Sequence, residues 1–355
     1  MKKRSFSLSL ALLLCLGCAA QNKPAAKFST VINRDNAYAH LSVLASDAYE
    51  GRETGKKGAW MAADYIRNYF KRIGLTGPVD GDYFQSIELL RAPAGTIRMK
   101  GFGQPKENEV KVRAENVLGF LEGSDPVLKD EILVITAHYD HIGLTSTGTD
   151  KVNNGADDDG SGTTAVLMIA DAFVKAKKAG KGPKRSILFM TVVGEEKGLL
   201  GSQWYSEHPV LPLEKTITDL NIDMIGRVDK AHEHKPDYIY IIGSDMLSSD
   251  LNATGIKANE ENIKLNLDMT YNNRTDPNQF YYRSDHYNFA KHGIPVIFYF
   301  SGVHEDYHKP GDEISKIDFN LLSKRAQLVY FTAWELANGA ARPVVDKNSD
   351  GTQKK

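Results

Sequence analysis

Five short clusters of chemistry-bearing residues punctuate the chain, and three of them stand where an apolar run stops. The run Glu131–Ala137 (EILVITA) leads straight into His138-Tyr139-Asp140-His141. A His at the end of a buried strand is a good metal ligand when a carboxylate two residues on orients its ring. Gly155-Ala156-Asp157-Asp158-Asp159-Gly160-Ser161-Gly162 then sets three acids in a row. Their mutual repulsion calls for a cation or for hydrogen-bond donors; a solvated acidic loop or a helix cap is the alternative, because a helical pattern begins at Ser161. The run Ser186–Val193 (SILFMTVV) ends in Gly194-Glu195-Glu196-Lys197-Gly198. Of two adjacent carboxylates one can ligate while the other, aimed elsewhere, serves as a base, unless the pair is simply an exposed acidic turn. In Leu220-Asn221-Ile222-Asp223-Met224-Ile225 one acid sits in apolar surroundings, where burial without a partner is costly and a metal or Arg is implied. After Pro295–Phe300 (PVIFYF) comes His304-Glu305-Asp306-Tyr307-His308-Lys309-Pro310-Gly311-Asp312, which sets His308 beside Tyr307.

The elements that must position these residues alternate between strand and helix. Continuous apolar runs at Glu131–Ala137, Ser186–Val193, Tyr238–Ile242 and Pro295–Phe300 predict strands covered on both faces; Phe84–Leu90 and Asn116–Leu121 are further strand-like segments. Helical spacing runs through Arg34–Asp47, Lys57–Ile73, Ser161–Lys175, Gly198–Glu207, Asp285–His292 and Ile317–Leu336, with Gly74 closing the second. The class is therefore α/β, a mixed or largely parallel sheet flanked by helices. With no internal repeat and no Pro- or Gly-rich linker, 28–339 reads as a single domain, after a tether over 18–27 and before a tail, 340–355, expected to be disordered.

At 355 residues, 41% hydrophobic and 25% charged, the chain has ordinary globular composition. Its 44 Lys+Arg against 45 Asp+Glu leave no basic field for a nucleic acid or an anionic membrane. Lys2, Lys3 and Arg4 precede an apolar run from Phe6 to Leu16. That run is far shorter than the ~20 residues of a membrane-spanning helix, so residues 1–17 read as a secretory signal. Leu16-Gly17-Cys18 resembles a bacterial lipobox with Cys18 as the lipidated first residue, although Cys15 stands where Leu or Ile is preferred; ordinary cleavage near Ala19 or Ala20 is the alternative. Both cysteines lie here, so the mature body cannot be a disulfide scaffold. Either route takes the protein out of the cytoplasm, to the periplasm or outer cell envelope.

HYDHIG, GADDDGSG, GEEKGLLGS, NIDMIG and YHKPGD, in that order, resemble the family of co-catalytic di-zinc aminopeptidases, whose relatives include glutaminyl cyclases and transferrin-receptor-like carboxypeptidases; the likeness runs from about Glu50 (EGRETG) to about Glu313. The resemblance implies a three-layer zinc-peptidase fold and two zinc ions. One would be held by His138 and Asp223 and the other by Glu196 and His308, with Asp158 bridging. Glu195 would be the general base, Asp140 the acid behind the first His, Asp159 the partner of Asp158 across a peptide that is cis in relatives, and Tyr307 an oxyanion donor, unless it is only a packing aromatic. Such a set of His and carboxylates without thiolate suits zinc and leaves positions open. Two cations of total charge +4 against three ligand carboxylates acidify a bound water. The implied reaction is removal of N-terminal residues from peptides by a hydroxide bridging the ions.

Other readings compete. His304-Glu305-Asp306-Tyr307-His308 spells H-E-x-x-H, which needs a helix to bring both His to one face; Pro310-Gly311 leaves hardly more than one turn. His232-Glu233-His234, His286 and His292 read as surface or core residues. A carboxypeptidase, a cyclase with one zinc and a non-catalytic module share the scaffold, yet no ligand or base of the full set is lost. Tyr271–Arg274 and Gln279–Arg283 are expected to rim the substrate pocket, with Arg274 and Phe280 as the residues to test.

Overall fold

The computed structural model describes residues 24–101, 103–104 and 107–354, so the signal and Cys18 lie outside the described residues. The helices are α1 (24–29), α2 (Arg34–Leu44), α3 (Lys57–Ile73), α4 (Gly162–Lys178), α5 (Leu200–Glu207), α6 (Ser249–Asn262), α7 (His286–Ala290) and α8 (Phe319–Asn338). The strands are β1 (Phe84–Ser86), β2 (Leu89–Arg91), β3 (Ile97–Met99), β4 (Val110–Val112), β5 (Glu115–Leu121), β6 (Ile132–His138), β7 (Ser186–Val192), β8 (Thr216–Ile222), β9 (Tyr238–Ile242), β10 (Asn266–Asp268) and β11 (Val296–Phe300).

Eight strands form one sheet in the order β1-β5-β7-β6-β8-β11-β9-β10, and β3-β2-β4 form a small separate one. The central four, β7, β6, β8 and β11, are mutually parallel, and antiparallel pairings join β5 to β7 and β9 to β11. Successive side chains point to opposite faces. In β6, Leu133, Ile135 and Ala137 enter one core, with Ala37 of α2, Ile66 of α3, Phe173 of α4 and Tyr330 of α8. Ile132 and Val134 enter the other, with Tyr205 of α5 and Phe289 of α7. Covered on both faces, the strand can be apolar at every position, which is the pattern its sequence shows. The three-layer α/β expectation is met.

The differences from expectation have local causes. Thr216–Ile222 (TITDLNI) is a central strand that its polar residues conceal. Thr136 of β6 hydrogen-bonds Asp219 (2.9 Å) and Asn221 (2.8 Å), so the interior accepts them. Phe84–Leu90 is two strands, the first paired with β5 and the second with β3 and β4. Residues 24–27, assigned to the tether, are helical, and Ala25 is buried with its carbonyl accepting from the Tyr330 hydroxyl. The tail is ordered through residue 354. Lys347 N donates to Leu247 O, Ser249 N to Asp346 Oδ1 and Arg274 Nε to Ser349 O, so partners at the start of α6 and in the loop after β10 supply what the tail's own composition lacks. Gly74 closes α3 at φ 101°, a left-handed conformation that suits glycine.

Candidate metal centre

Parallel strands end on the same side, and the crevice outside their carboxyl ends is where open α/β sheets bind ligands. His138 is the last residue of β6, Asp223 follows β8, Glu195 and Glu196 begin the single turn after β7, and His308 lies in the loop after β11. Asp158 stands between them. Its Oδ1 is 3.3 Å from His138 Nε2 and its Oδ2 is 3.1 Å from His308 Nε2. Asp223 Oδ2 completes the first cluster, 3.7 Å from His138 Nε2, and Glu196 Oε2 the second, 3.1 Å from His308 Nε2. One carboxylate thus offers an oxygen to each of two groups of ligand-type atoms, His138 with Asp223 and His308 with Glu196.

The neighbouring acids are consumed by the backbone. Asp157 Oδ1 accepts from Gly226 N (2.6 Å). Asp159, joined to Asp158 by a cis peptide, accepts from Gly162 N and Met224 N on Oδ1 and from His138 N on Oδ2. Asp312 accepts from the backbone N–H of both Asp157 and Asp158. The loop is therefore held by donors on each side, and of its three acids the middle one presents its two oxygens to His138 and His308. Asp140 differs from expectation in one respect. Its main-chain carbonyl, 3.0 Å away, accepts from His138 Nδ1, while its carboxylate lies 3.8 Å from that nitrogen and accepts from Thr54 Oγ1 (2.5 Å) and Glu195 N (3.3 Å). It orients the first His through its backbone and Glu195 through its side chain.

The family model of peptidase family M28 matches residues 116–333, well over half of the chain. The chain belongs to peptidase family M28. It is similar to a probable zinc metalloprotease of Pyrenophora teres f. teres, 26% identical over 306 residues, which make up 72% of this chain and 60% of that protein. It is also 31% identical over 219 residues to a probable leucine aminopeptidase of Arthroderma benhamiae, covering 60% of this chain and 56% of that one. The chain thus spans under two thirds of the length of these curated relatives. In fold it matches a zinc aminopeptidase from Bacillus subtilis with a TM-score of 0.63 at 18% identity, over 91% of this chain and 98% of that one.

The electrostatics of this family M28 centre ask for cations. Burial by itself would raise the pKa of Asp158, but His141, His138 and His308 pull it well below the usual carboxylate range. Burial raises Glu195 well above that range, and Asp223, Glu196 and Asp285 push the same way against His138. His308, which burial would lower, is instead raised to about 10 by Asp158 and Glu196. His138 Nε2, Asp158 Oδ2 and Glu196 Oε1 are buried and have no hydrogen-bond partner among the described residues. Ligand-type atoms left bare side by side are costly unless an ion satisfies them, so the donor set fits a metal pair. A consequence is measurable. In the metal-free protein His308 keeps its proton up to about pH 10, and that proton must leave before Nε2 can ligate. Zinc titrated into metal-free protein at pH 7.5 is expected to release at least about one proton per chain, read from calorimetry in two buffers of different ionisation enthalpy. Heats that do not depend on the buffer would contradict it.

All five ligand-type residues expected from the motifs come together, and Glu195 and Tyr307 line the same cleft. The H-E-x-x-H spelling does not make a helix. His304 Nε2 turns to Asp157 Oδ2 (3.4 Å), away from His308's partners, and the Glu305 side chain is 83% exposed. Among the pocket expectations Phe280 and Arg283 line the cleft, whereas Arg274 binds Ser349 O and Met246 O against the tail. His141 was passed over, although it sits in the first motif. Its Nδ1 is 2.9 Å from Glu196 Oε1, and only its place one residue beyond Asp140 could have signalled this.

Proposed function

We propose that this protein is an exported, zinc-dependent aminopeptidase that removes N-terminal residues from peptides. The observation that carries the reading is Asp158 shared between two ligand clusters, with Glu195 in the same cleft. That cleft is walled by Met224, Phe280, Phe298, Phe300 and Val303. It suits an apolar side chain of the residue being removed, and its carboxylates suit a peptide's terminal ammonium. When bound, two zinc ions would supply Lewis-acid polarisation of the scissile carbonyl and acidify the attacking water. Glu195, buried in the cleft and outside both groups of ligands, takes the proton of that water and passes it to the leaving amine. Tyr307, whose phenol is kept protonated by burial and by Asp158 and Glu196, donates to the carbonyl oxygen as charge develops.

The test is zinc content and hydrolysis together. The mature protein is expected to hold close to two zinc ions per chain, fewer in Glu196→Ala and His308→Ala, and to cleave leucyl amides. One ion per chain, indifferent to Glu196→Ala, points to the cyclase-like alternative, and hydrolysis of C-terminally free but N-terminally blocked peptides points to a carboxypeptidase using Arg283. Phe280→Ala is expected to lower kcat/KM for leucyl substrates roughly tenfold, while Arg274→Ala leaves it unchanged, its guanidinium being bound to the tail. Export rests on the sequence of residues 1–17, and we assign a lipid anchor to Cys18, which radiolabelled fatty acid should mark in the wild type and not in Cys18→Ser. No described helix is long and apolar enough to cross a membrane.

A further inference from the structure

His141 is the imidazole at this centre that the five-ligand assignment leaves unused. Its side chain is 0% exposed, and neither Nδ1 nor Nε2 has a hydrogen-bond partner among the described residues. A buried polar ring without partners is costly, and each such case calls for an explanation. Nδ1 is aimed at the second cluster, 2.9 Å from Glu196 Oε1 and 3.7 Å from Asp158 Oδ2. Both of those oxygens are themselves without a hydrogen-bond partner among the described residues. Atoms that share a tetrahedral zinc at about 2.0–2.1 Å lie roughly 3.3 Å from one another, and the two separations bracket that value.

The fold holds the ring in this place. His141 N donates to Arg52 O (3.2 Å), and a Cβ at Gly155 would come within 2.6 Å of the imidazole Cγ and Cδ2. Gly155, at φ 56°, therefore leaves the space that the ring needs to face Glu196.

We propose that His141 is a further protein ligand at the metal position of Asp158, Glu196 and His308. This rests on the zinc reading above and goes beyond its five residues. The second position then has four protein ligands, while the first, with His138, Asp158 and Asp223, has three. Four protein ligands close a tetrahedral zinc, and three leave an open position. The two positions are consequently unequal: the second retains its ion, and the first exchanges its ion and stays accessible to the substrate.

The experiment loads the mature protein with zinc, dialyses it against graded chelator and counts the zinc retained, with cobalt(II) absorption as a second readout. Wild type is expected to lose its zinc in two separated steps. In His141→Ala the tighter step weakens by more than about 100-fold, beyond the 10–100-fold loss typical when a group only hydrogen-bonds to a ligand, and the intense four-coordinate cobalt bands fade. His141→Asn, which keeps an acceptor near the place of Nδ1, gives an intermediate affinity and serves where the alanine variant does not fold. If both His141 variants keep the tighter step and the cobalt spectrum of wild type while His308→Ala loses them, His141 is not a ligand and the zinc reading stands. If wild type binds no zinc, that reading falls and this proposal with it.

Discussion

Glu195→Gln is expected to keep both zinc ions and to lower kcat for leucyl amides by about a thousandfold, or roughly 4 kcal/mol of activation free energy. The amide has nearly the shape of the carboxylate but cannot take a proton from water. Glu195 belongs to neither ligand cluster, so metal content should be indifferent to the change. Burial first, and then Asp223, Glu196 and Asp285, raise the Glu195 pKa in the metal-free protein; bound zinc would offset the share of Asp223 and Glu196, and the wild-type pH–rate profile should show an acid limb, set by Glu195, that Glu195→Gln lacks. Below that limb Glu195 carries its proton and cannot act as a base. Kinetics and zinc content measured on the same preparation decide the matter. A variant that keeps more than a tenth of the wild-type rate would remove Glu195 from the chemistry, and one that loses zinc would make it a ligand.

Arg52→Met should cost about 4 kcal/mol or more of stability, at the upper end of what single substitutions do. The Arg52 guanidinium is buried and donates to four main-chain carbonyls: Tyr139 O (2.8 Å), Leu44 O (2.7 Å), Asn154 O (2.7 Å) and Gly155 O (2.8 Å). These belong to the end of α2, the turn after β6 and the loop that carries Asp158. Methionine fills the volume but leaves the carbonyls of Tyr139, Leu44 and Asn154 without the donor that Arg52 supplies, each costing about 1–3 kcal/mol if water cannot reach it, while Gly155 O keeps the bond from Gly160 N (3.1 Å). It also removes a positive charge from among Asp312, Asp158, Asp159 and Asp140, which all act on Arg52. Lysine is not a remedy, because one ammonium cannot present donors in the planar fork that these carbonyls require. Urea unfolding of the metal-free proteins, with the slope unchanged, measures the loss. A midpoint within error of wild type would mean that water or a shifted loop satisfies the carbonyls.

Much of the centre was legible because the relevant signals are local. The buried parallel strands β6 and β7 are almost wholly apolar, so a His or a carboxyl pair at their ends stands out within a few residues, as at His138 and Glu195-Glu196. The family likeness of five motifs in order then pointed to five ligand-type side chains that the fold brings together, although nothing local distinguishes Asp158 from Asp157 and Asp159. What separates them is which backbone N–H groups reach each acid, and those come from Gly226, Met224, His138 and Gly162. The strand Thr216–Ile222 and the helix Ser249–Asn262 escaped notice for a similar reason: the first hides behind Asp219 and Asn221, whose partner Thr136 lies some 80 positions away, and the second has Gly255 and several Asn in place of a clear apolar stripe. The order of the tail likewise depends on Ser249, Leu247 and Arg274 rather than on its own polar composition.

By itself, then, the sequence determined the alternation of strand and helix, the kinds of donor at the crevice and the order in which they arrive, since period and residue type act over a few positions. Tertiary structure alone decided that Asp158 faces both clusters, that Asp140 supports Glu195, that Arg52 and Asp312 clamp the acidic loop and that His141 turns toward Glu196. Each of these depends on atoms that meet only when strands distant in sequence are laid side by side, and no local pattern records such a meeting.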